Sequence, residues 1–188
     1  MARRHREILD ALLDSIVTGR HPSGTLLPKE ELIAAEFDVS RGTGREALRA
    51  LEERRVAAVR HGRGATVLPA DEWNTLDDAV AAALLRSRRR TAFADEVTEL
   101  RRLLEPAVAE LAAERATASQ RAALRAASGP LEPRRLVALA AGNRPLAATL
   151  HALWAMRSPT VDADRVAAAV ADGDKARART EAARAFDS

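Results

Sequence analysis

The strongest constraint on the fold is the order of patterns in the first 70 residues, where helical periodicity gives way to one short hairpin pattern. Residues 6–18 carry apolar side chains at helical spacing, and this helix is predicted to stop near Gly19. A short extended piece should follow, because the residue before a proline is biased away from helix. A second short helix is predicted over residues 29–37, and its inward side chains should be Leu32, Ile33 and Phe37.

A third helix and a hairpin complete this pattern. Ser40 is a favourable N-cap residue, and the helix after it is predicted to run to about Arg54. Residues 56–68 place valines on both sides of "RHGRG", which predicts a β-hairpin with glycines at its tip. Three helices, an extended piece and a hairpin in this order are typical of a winged helix-turn-helix.

The third helix carries a ladder of positive charge. Arg41, Arg45 and Arg49 recur at intervals of four, on a different face from the apolar stripe. That stripe consists of Ala47, Leu48 and Leu51. An arginine-bearing face opposite a core face is typical of a recognition helix, since arginine binds guanine or phosphate with two parallel hydrogen bonds. The alternative is a solvated helix face in which the arginines pair with Glu46, Glu52 and Glu53.

The hairpin adds to the same concentration of charge. Between Val39 and Thr66 there are seven arginines and three glutamates, although the whole chain has a formal net charge of only +3. The predicted tip is basic and rich in glycine, which lets backbone approach a sugar-phosphate surface closely. It contains Arg60, His61, Gly62, Arg63 and Gly64. A charged helix beside a charged hairpin favours a polyanionic partner such as DNA over a random surface charge run.

Two glycines interrupt the third helix. Each costs about 0.5–1 kcal/mol relative to alanine inside a helix. Gly42 lies in the first turn, where the backbone could approach DNA. Gly44 continues the apolar stripe, so we expect it to leave out a core side chain and to loosen the start of the helix. On this hypothesis Gly44→Val should raise the melting temperature.

The remainder of the chain has helical patterns without a strand signal. We expect a winged domain over 1–70, a linker over 71–75 and an all-helical domain over 76–188. The fold class is therefore mostly α, with a small β-hairpin wing and a C-terminal antiparallel helical bundle. Candidate helices in the second domain cover 76–86, 92–115, 118–127, 131–141, 144–156, 160–171 and 174–186.

Residue composition argues against several classes of function. The chain has no cysteine, which excludes disulfides and thiolate metal sites, and only four histidines. It also lacks a phosphate-binding glycine loop in strand–loop–helix context, so we expect no enzyme and no cofactor. No apolar run approaches the ~18 residues of a membrane span, and acidic residues interrupt the N-terminal helix. We therefore expect a cytoplasmic protein.

The N-terminal sequence resembles the GntR superfamily of bacterial transcription regulators. The resemblance rests on "GTLLP", "VSRGTGREALRAL" and "GRGATV" within residues 16–67. It implies double-stranded DNA as the partner, contacted through Arg41, Arg45 and the Gly62 wing. With the arginine ladder and the basic hairpin tip, the predicted contact set is Arg41, Thr43, Arg45, Arg49, Arg60, His61, Gly62 and Arg63. Three positions depart from the family pattern: Glu31 replaces a basic DNA contact, Arg55 replaces a glycine before the wing, and Gly44 replaces an apolar residue.

The C-terminal half resembles the helical effector domain of the FadR branch, also called the FCD domain. The motifs are "LRRLLEPAVAELAAERAT", "AAGNRPLAATLHALW" and "VAAAVADGDKARAR". Many such domains hold a divalent metal through one aspartate and three histidines. The corresponding positions here are Pro130, Arg134, Ala163 and Ala185, none of which can bind a metal. The resemblance implies that Arg101 and Asn143 are candidate effector-pocket residues, although a surface ion pair and a cap are their structural alternatives.

Together these features predict a DNA-binding transcription regulator. The resemblance implies a homodimeric, ligand-responsive repressor or activator on a short inverted repeat, and we expect a repressor whose release from DNA a small-molecule effector controls. Two roles stay open for the second domain: effector binding without a metal, or dimerisation alone. The alternative for the whole chain is a helical dimerisation or interaction protein with weakened DNA binding and no effector, which Glu31 and Gly44 motivate.

Overall fold

The structure, a computed structural model, describes residues 2–60, 63–129, 131–156, 162–184 and 186. The chain divides into two compact units, Met1–Phe93 and Ala94–Ser188. The mostly helical fold class is confirmed, with a two-stranded antiparallel hairpin after three helices. The elements are α1 Ala2–Val17, α2 Glu30–Glu36, α3 Arg41–Glu53, β1 Ala57–Arg60, β2 Gly64–Val67, α4 Asp78–Arg86, α5 Arg90–Arg115, α6 Ala118–Ala126, α7 Glu132–Ala140, α8 Arg144–Met156, α9 Ala163–Asp172 and α10 Lys175–Arg184.

The core of the first unit forms where α1 and α2 pack against α3. Ala47, Leu48 and Leu51 of α3 are buried. The apolar positions at helical spacing in α1 are all buried as well, namely Ile8, Leu9, Leu12, Leu13 and Ile16. One prediction in α2 is wrong: Ile33 is buried, but Leu32 is 62% exposed. This helix has only seven residues, so one turn faces the core and the position before Ile33 points away from it.

The turn between α2 and α3 is built from local backbone hydrogen bonds. Asp38 takes a left-handed conformation with φ of 50°, and Val39 N donates to Ala34 O at 3.0 Å. Together with the Phe37 N–Ile33 O bond, this ends α2 with a left-handed residue beyond its last turn. Ser40 then caps α3 as predicted, because its side chain accepts from Thr43 N at 3.2 Å.

α3 also ends with a left-handed residue beyond its last turn, and here that residue is an arginine. Arg55 N donates to Glu52 O at 2.8 Å, and Val56 N donates to Leu51 O at 2.9 Å. These two bonds form a Schellman motif, in which the residue beyond the cap is left-handed and usually glycine. Arg55 occupies that place with φ of 57°. The backbone conformation at Arg55 therefore favours glycine, which is the residue of the family pattern at this position.

The wing is an antiparallel hairpin with Arg60 opposite Gly64 and Ala57 opposite Val67. The predicted extended piece before α2 pairs with β2 of the wing. Leu27 N donates to Ala65 O at 2.8 Å, and Val67 N donates to Thr25 O at 3.0 Å. This pairing joins the segment before α2 to the wing. The hairpin therefore has backbone bonding on one edge that a free two-stranded hairpin would lack.

The helix after the wing also belongs to the first unit. Asp77 caps α4 by accepting from Ala79 N and Val80 N, and it forms an ion pair with Arg54 at 3.0 Å. The helix packs against α1. The limits 1–70, 71–75 and 76–188 remain a proposal about which segments fold independently.

The second unit is an alanine-rich helical bundle in which α9 packs against α6, α7 and α10. Buried alanines recur along α9, and its Val166 and Val170 fill the space between them. Small side chains let helices approach closely, so arginines from neighbouring helices can reach the carbonyl ends. Arg121 donates to four carbonyl oxygens, those of Ala113, Ala116, Val170 and Ala171.

Candidate nucleic-acid interface and effector pocket

The predicted recognition helix, α3, lies in close contact with α2 at Gly44. An ideal Cβ built on Gly44 would lie 2.6 Å from the backbone oxygen of Glu30. Any side chain at this position would therefore force the two helices apart. The prediction that Gly44 leaves out a core side chain is wrong, and so is the expectation that Gly44→Val would stabilise the protein: the glycine is required by helix contact.

Two predicted contact residues on α3 are presented to solvent. The guanidinium of Arg45 is exposed and forms no hydrogen bond or ion pair with any residue that the structure describes. Arg49 pairs with Glu46 at 3.2 Å, and both side chains are more than half exposed. An exposed pair of this type is worth about 0–1 kcal/mol, so it can exchange readily for another anion.

Arg41 differs from these two residues. Its Nε donates to Glu30 Oε1 at 2.6 Å, and its Nη2 lies 2.6 Å from the same oxygen and 2.9 Å from Glu31 Oε1. The hydrogen bond to Glu30, followed by the charges of Glu30 and Glu31, raises the pKa of Arg41. The first arginine of the ladder is thus bound by two carboxylates from α2.

The remaining predicted contacts lie at the start of α3 and on the wing. The hydroxyl of Thr43 lies 3.0 Å from that of Ser40, so it takes part in the helix cap. Arg60 and Arg63 are exposed and line one groove with Leu26. His61 and Gly62 lie outside the described residues.

The wing is attached to α3 through a glutamate. Val59 N donates to Glu52 Oε1 at 3.1 Å, and β1 packs on α3. Glu52 therefore has a backbone partner, rather than the arginine partner of the solvated-face alternative. This bond ties β1, which ends at Arg60, to the helix that carries Arg45.

Sequence reasoning missed three participants at this face. Glu30 and Glu31 were not predicted to bind Arg41, although the negative charge at Glu31 was the available signal. Leu26 is 62% exposed beside the wing arginines. Its exposure could not be read from the sequence, because Leu26 and the buried Leu27 are adjacent residues of one type.

The second unit contains a small cavity at the predicted effector region. Two of the positions implied by the FadR-branch resemblance, Arg134 and Ala163, lie on its wall, while Pro130 and Ala185 lie outside the described residues. The cavity has a volume of about 30 Å³. That is room for about two water molecules. Within the described part of the chain, no three His, Asp or Glu residues are grouped to hold a metal.

The candidate pocket residues are not brought together at this cavity. Arg101 is fully buried but does not line it; its Nε donates to Glu105 Oε1 at 2.7 Å, and Glu105 does line it. The same oxygen accepts from Trp154 Nε1 at 2.9 Å. Burial lowers the pKa of Arg134, with Glu105 opposing and Arg101 reinforcing that shift. Asn143 caps α8 by accepting from Leu146 N at 3.2 Å.

Residues 4–67 match the family model described as "Bacterial regulatory proteins, gntR family". The N-terminal domain belongs to the gntR family. The matched range begins within α1 and ends at the last residue of β2, so the gntR-family domain includes the arginine ladder, the two carboxylates that bind Arg41 and both wing strands.

Curated relatives extend the similarity beyond the gntR-family domain. The chain is 38% identical over 120 residues to the galactonate operon transcriptional repressor of Escherichia coli, covering 64% of this chain and 52% of the relative. It is 33% identical over 141 residues to the Uxu operon transcriptional regulator of E. coli, covering 75% and 52%. The chain spans about half the length of the curated relatives it matches. The solved structure of Streptococcus agalactiae GntR is 24% identical, covers 97% of both chains and has a TM-score of 0.44.

Proposed function

We propose that the protein is a sequence-specific DNA-binding transcription regulator that acts as a repressor on a short inverted repeat. The observation that carries the proposal is Arg45, an exposed guanidinium one turn into a capped recognition helix and without a protein partner among the described residues. The gntR-family match of residues 4–67 supports it. The repressor role draws on the name of the galactonate operon relative.

The contacts on DNA follow from where the charges are free. Arg45 is suited to a base edge or a phosphate, and Arg49 can exchange its weak pair with Glu46 for a phosphate. The wing contributes Arg60 and Arg63 beside α3. His61 and Gly62, which lie between these two arginines in the sequence, complete the proposed contact set, and Thr43 adds a hydroxyl at the N-terminus of the helix.

We also propose that the protein binds as a homodimer, with the second unit as the dimerisation module. Exposed leucines on that unit support this assignment, because large apolar side chains in water favour association. They are Leu103, Leu131 and Leu139. The small cavity supports the role without an effector more than the role with one. A monomer in sedimentation at micromolar concentration would contradict the dimer.

The decisive experiment is a fluorescence anisotropy titration with duplexes selected from a random library, at about 50 and 200 mM salt. Binding should weaken steeply with salt, because arginine–phosphate contacts release counterions. Arg45→Ala should cost about 1–3 kcal/mol of binding free energy and relax base preference at one position per half-site. A uniform loss across sequences would assign Arg45 to phosphate instead. An absence of binding at low salt would leave the interaction-protein alternative.

A further inference from the structure

The ion-pair cluster at the start of α3 has more negative than positive charge. Two carboxylates, Glu30 and Glu31, bind one guanidinium, that of Arg41. Glu30 is largely covered, whereas the side chains of Glu31 and Arg41 are 51% and 66% exposed. The cluster therefore presents a net negative charge at the N-terminus of a recognition helix, a place that otherwise favours phosphate.

The geometry also restricts what Arg41 can bind. A guanidinium makes bidentate contacts through one of two edges, Nε with Nη2 or Nη1 with Nη2. Nε and Nη2 both face Glu30 Oε1, and Nη2 also faces Glu31 Oε1. Both edges thus include a nitrogen that is already engaged. A two-point contact from Arg41 to phosphate or guanine requires release from Glu31, the more exposed of the two carboxylates.

We propose that Glu31 is a positioning residue that withholds Arg41 from DNA phosphates and so lowers the sequence-independent affinity of the protein. This rests on the DNA binding proposed above. Glu30 fixes the guanidinium close to α2, and Glu31 occupies the nitrogen that both bidentate edges share. The ladder of three arginines then supplies two DNA contacts, Arg45 and Arg49, in place of three.

The test is Glu31→Gln in the full chain, titrated with a labelled duplex of mixed sequence over a range of salt concentrations. Glu31→Gln removes the negative charge that holds Nη2 and leaves only a neutral acceptor, so phosphate can compete for the guanidinium and affinity should rise about 3- to 10-fold at low salt. The plot of log affinity against log salt should steepen by about 0.9 for each chain that contacts DNA, because one phosphate contact is gained. The matched control is Glu36→Gln, which removes the same charge from an exposed position of α2.

A double-mutant cycle separates the proposed role from simple charge repulsion. If Glu31 acts through Arg41, Glu31→Gln should have little effect in an Arg41→Ala background. An equal gain in both backgrounds, or no gain beyond that of Glu36→Gln, would overturn the positioning role while wild-type binding keeps the proposed function intact. If neither wild type nor Glu31→Gln binds the duplex at low salt, the proposed function itself fails, and the positioning role with it.

Discussion

The same side chain has opposite uses at Arg45 of the first unit and at Arg101 and Arg121 of the second. In the first unit Arg45, Arg60 and Arg63 are exposed, and no protein acceptor among the described residues binds the guanidinium of Arg45. In the second unit Arg101 is fully buried against a carboxylate, and Arg121 donates to four carbonyl oxygens. One residue type therefore carries exposed charge at these positions of the first unit and makes internal connections at these positions of the second.

The difference shows that overall charge does not locate a binding surface. Burying a guanidinium without partners costs several kcal/mol, so a buried arginine must bind carboxylates or carbonyl groups. An arginine that stays in water keeps its donors available for phosphate or for a base edge. In the first unit Arg45 is of this second kind. Arg41 binds two carboxylates of α2, Arg54 binds Asp77, and exposed pairs join Arg49 to Glu46 and Arg86 to Asp14.

The largest expected effect tests the structural use of arginine. Arg101→Met should lower the free energy of unfolding by about 3–5 kcal/mol, because Glu105 would remain buried with the donor of Trp154 but without its guanidinium. The side chain also lies over the ring of Phe186 at 5.7 Å, and that contact would be lost. Urea unfolding followed by circular dichroism measures the change.

The matched control for Arg101→Met is Arg49→Ala in the first unit. Arg49 also pairs with a glutamate within one helical turn, but that pair is exposed. Its loss should change the free energy of unfolding by less than about 1 kcal/mol. Similar losses for the two variants would break the contrast between the units.

The next largest effect tests the contact between the backbones of α2 and α3 at Gly44. Gly44→Ala should destabilise the protein by about 1–3 kcal/mol, because its Cβ would lie 2.6 Å from Glu30 O. The control is Gly42→Ala in the same helix, where a Cβ meets only Ser40 Oγ at 3.6 Å. That variant should gain about 0.5 kcal/mol from helix propensity. If the two variants shifted the melting temperature in the same direction, the close approach of Gly44 to Glu30 O would be contradicted.

The smallest effect tests the left-handed backbone conformation of Arg55, as distinct from the charge of its side chain. Arg55→Gly should stabilise the protein by about 0.5–1 kcal/mol, since φ at this position is 57° and glycine adopts that conformation without a Cβ penalty. Arg55→Ala removes the guanidinium but keeps the Cβ, so it should give no such gain. A gain from alanine equal to that from glycine would point to charge relief at the end of α3 in place of backbone strain. Thermal unfolding of both variants distinguishes the two causes.

Much of the local structure could be predicted from the sequence. Every predicted helix is present within a few residues of its expected limits, and Ser40 caps α3 as expected. The wing forms where valines flank the glycines. These features depend on interactions within a few residues along the chain, such as periodic apolar positions, a cap and a turn. The exposure of Leu32 was missed because a seven-residue helix presents little periodicity to interpret.

The sequence by itself determined the helices, the hairpin and the concentration of arginine near α3. The tertiary structure alone decided which arginines are available. Arg41 and Arg45 are one helical turn apart and chemically identical, but only Arg41 faces the carboxylates of α2. From the sequence, Gly44 predicts a less stable start of α3, whereas in the structure the Glu30 carbonyl occupies the space that a Cβ would need. Both outcomes depend on the distance between two helices, a quantity that side-chain packing sets and that no local pattern encodes.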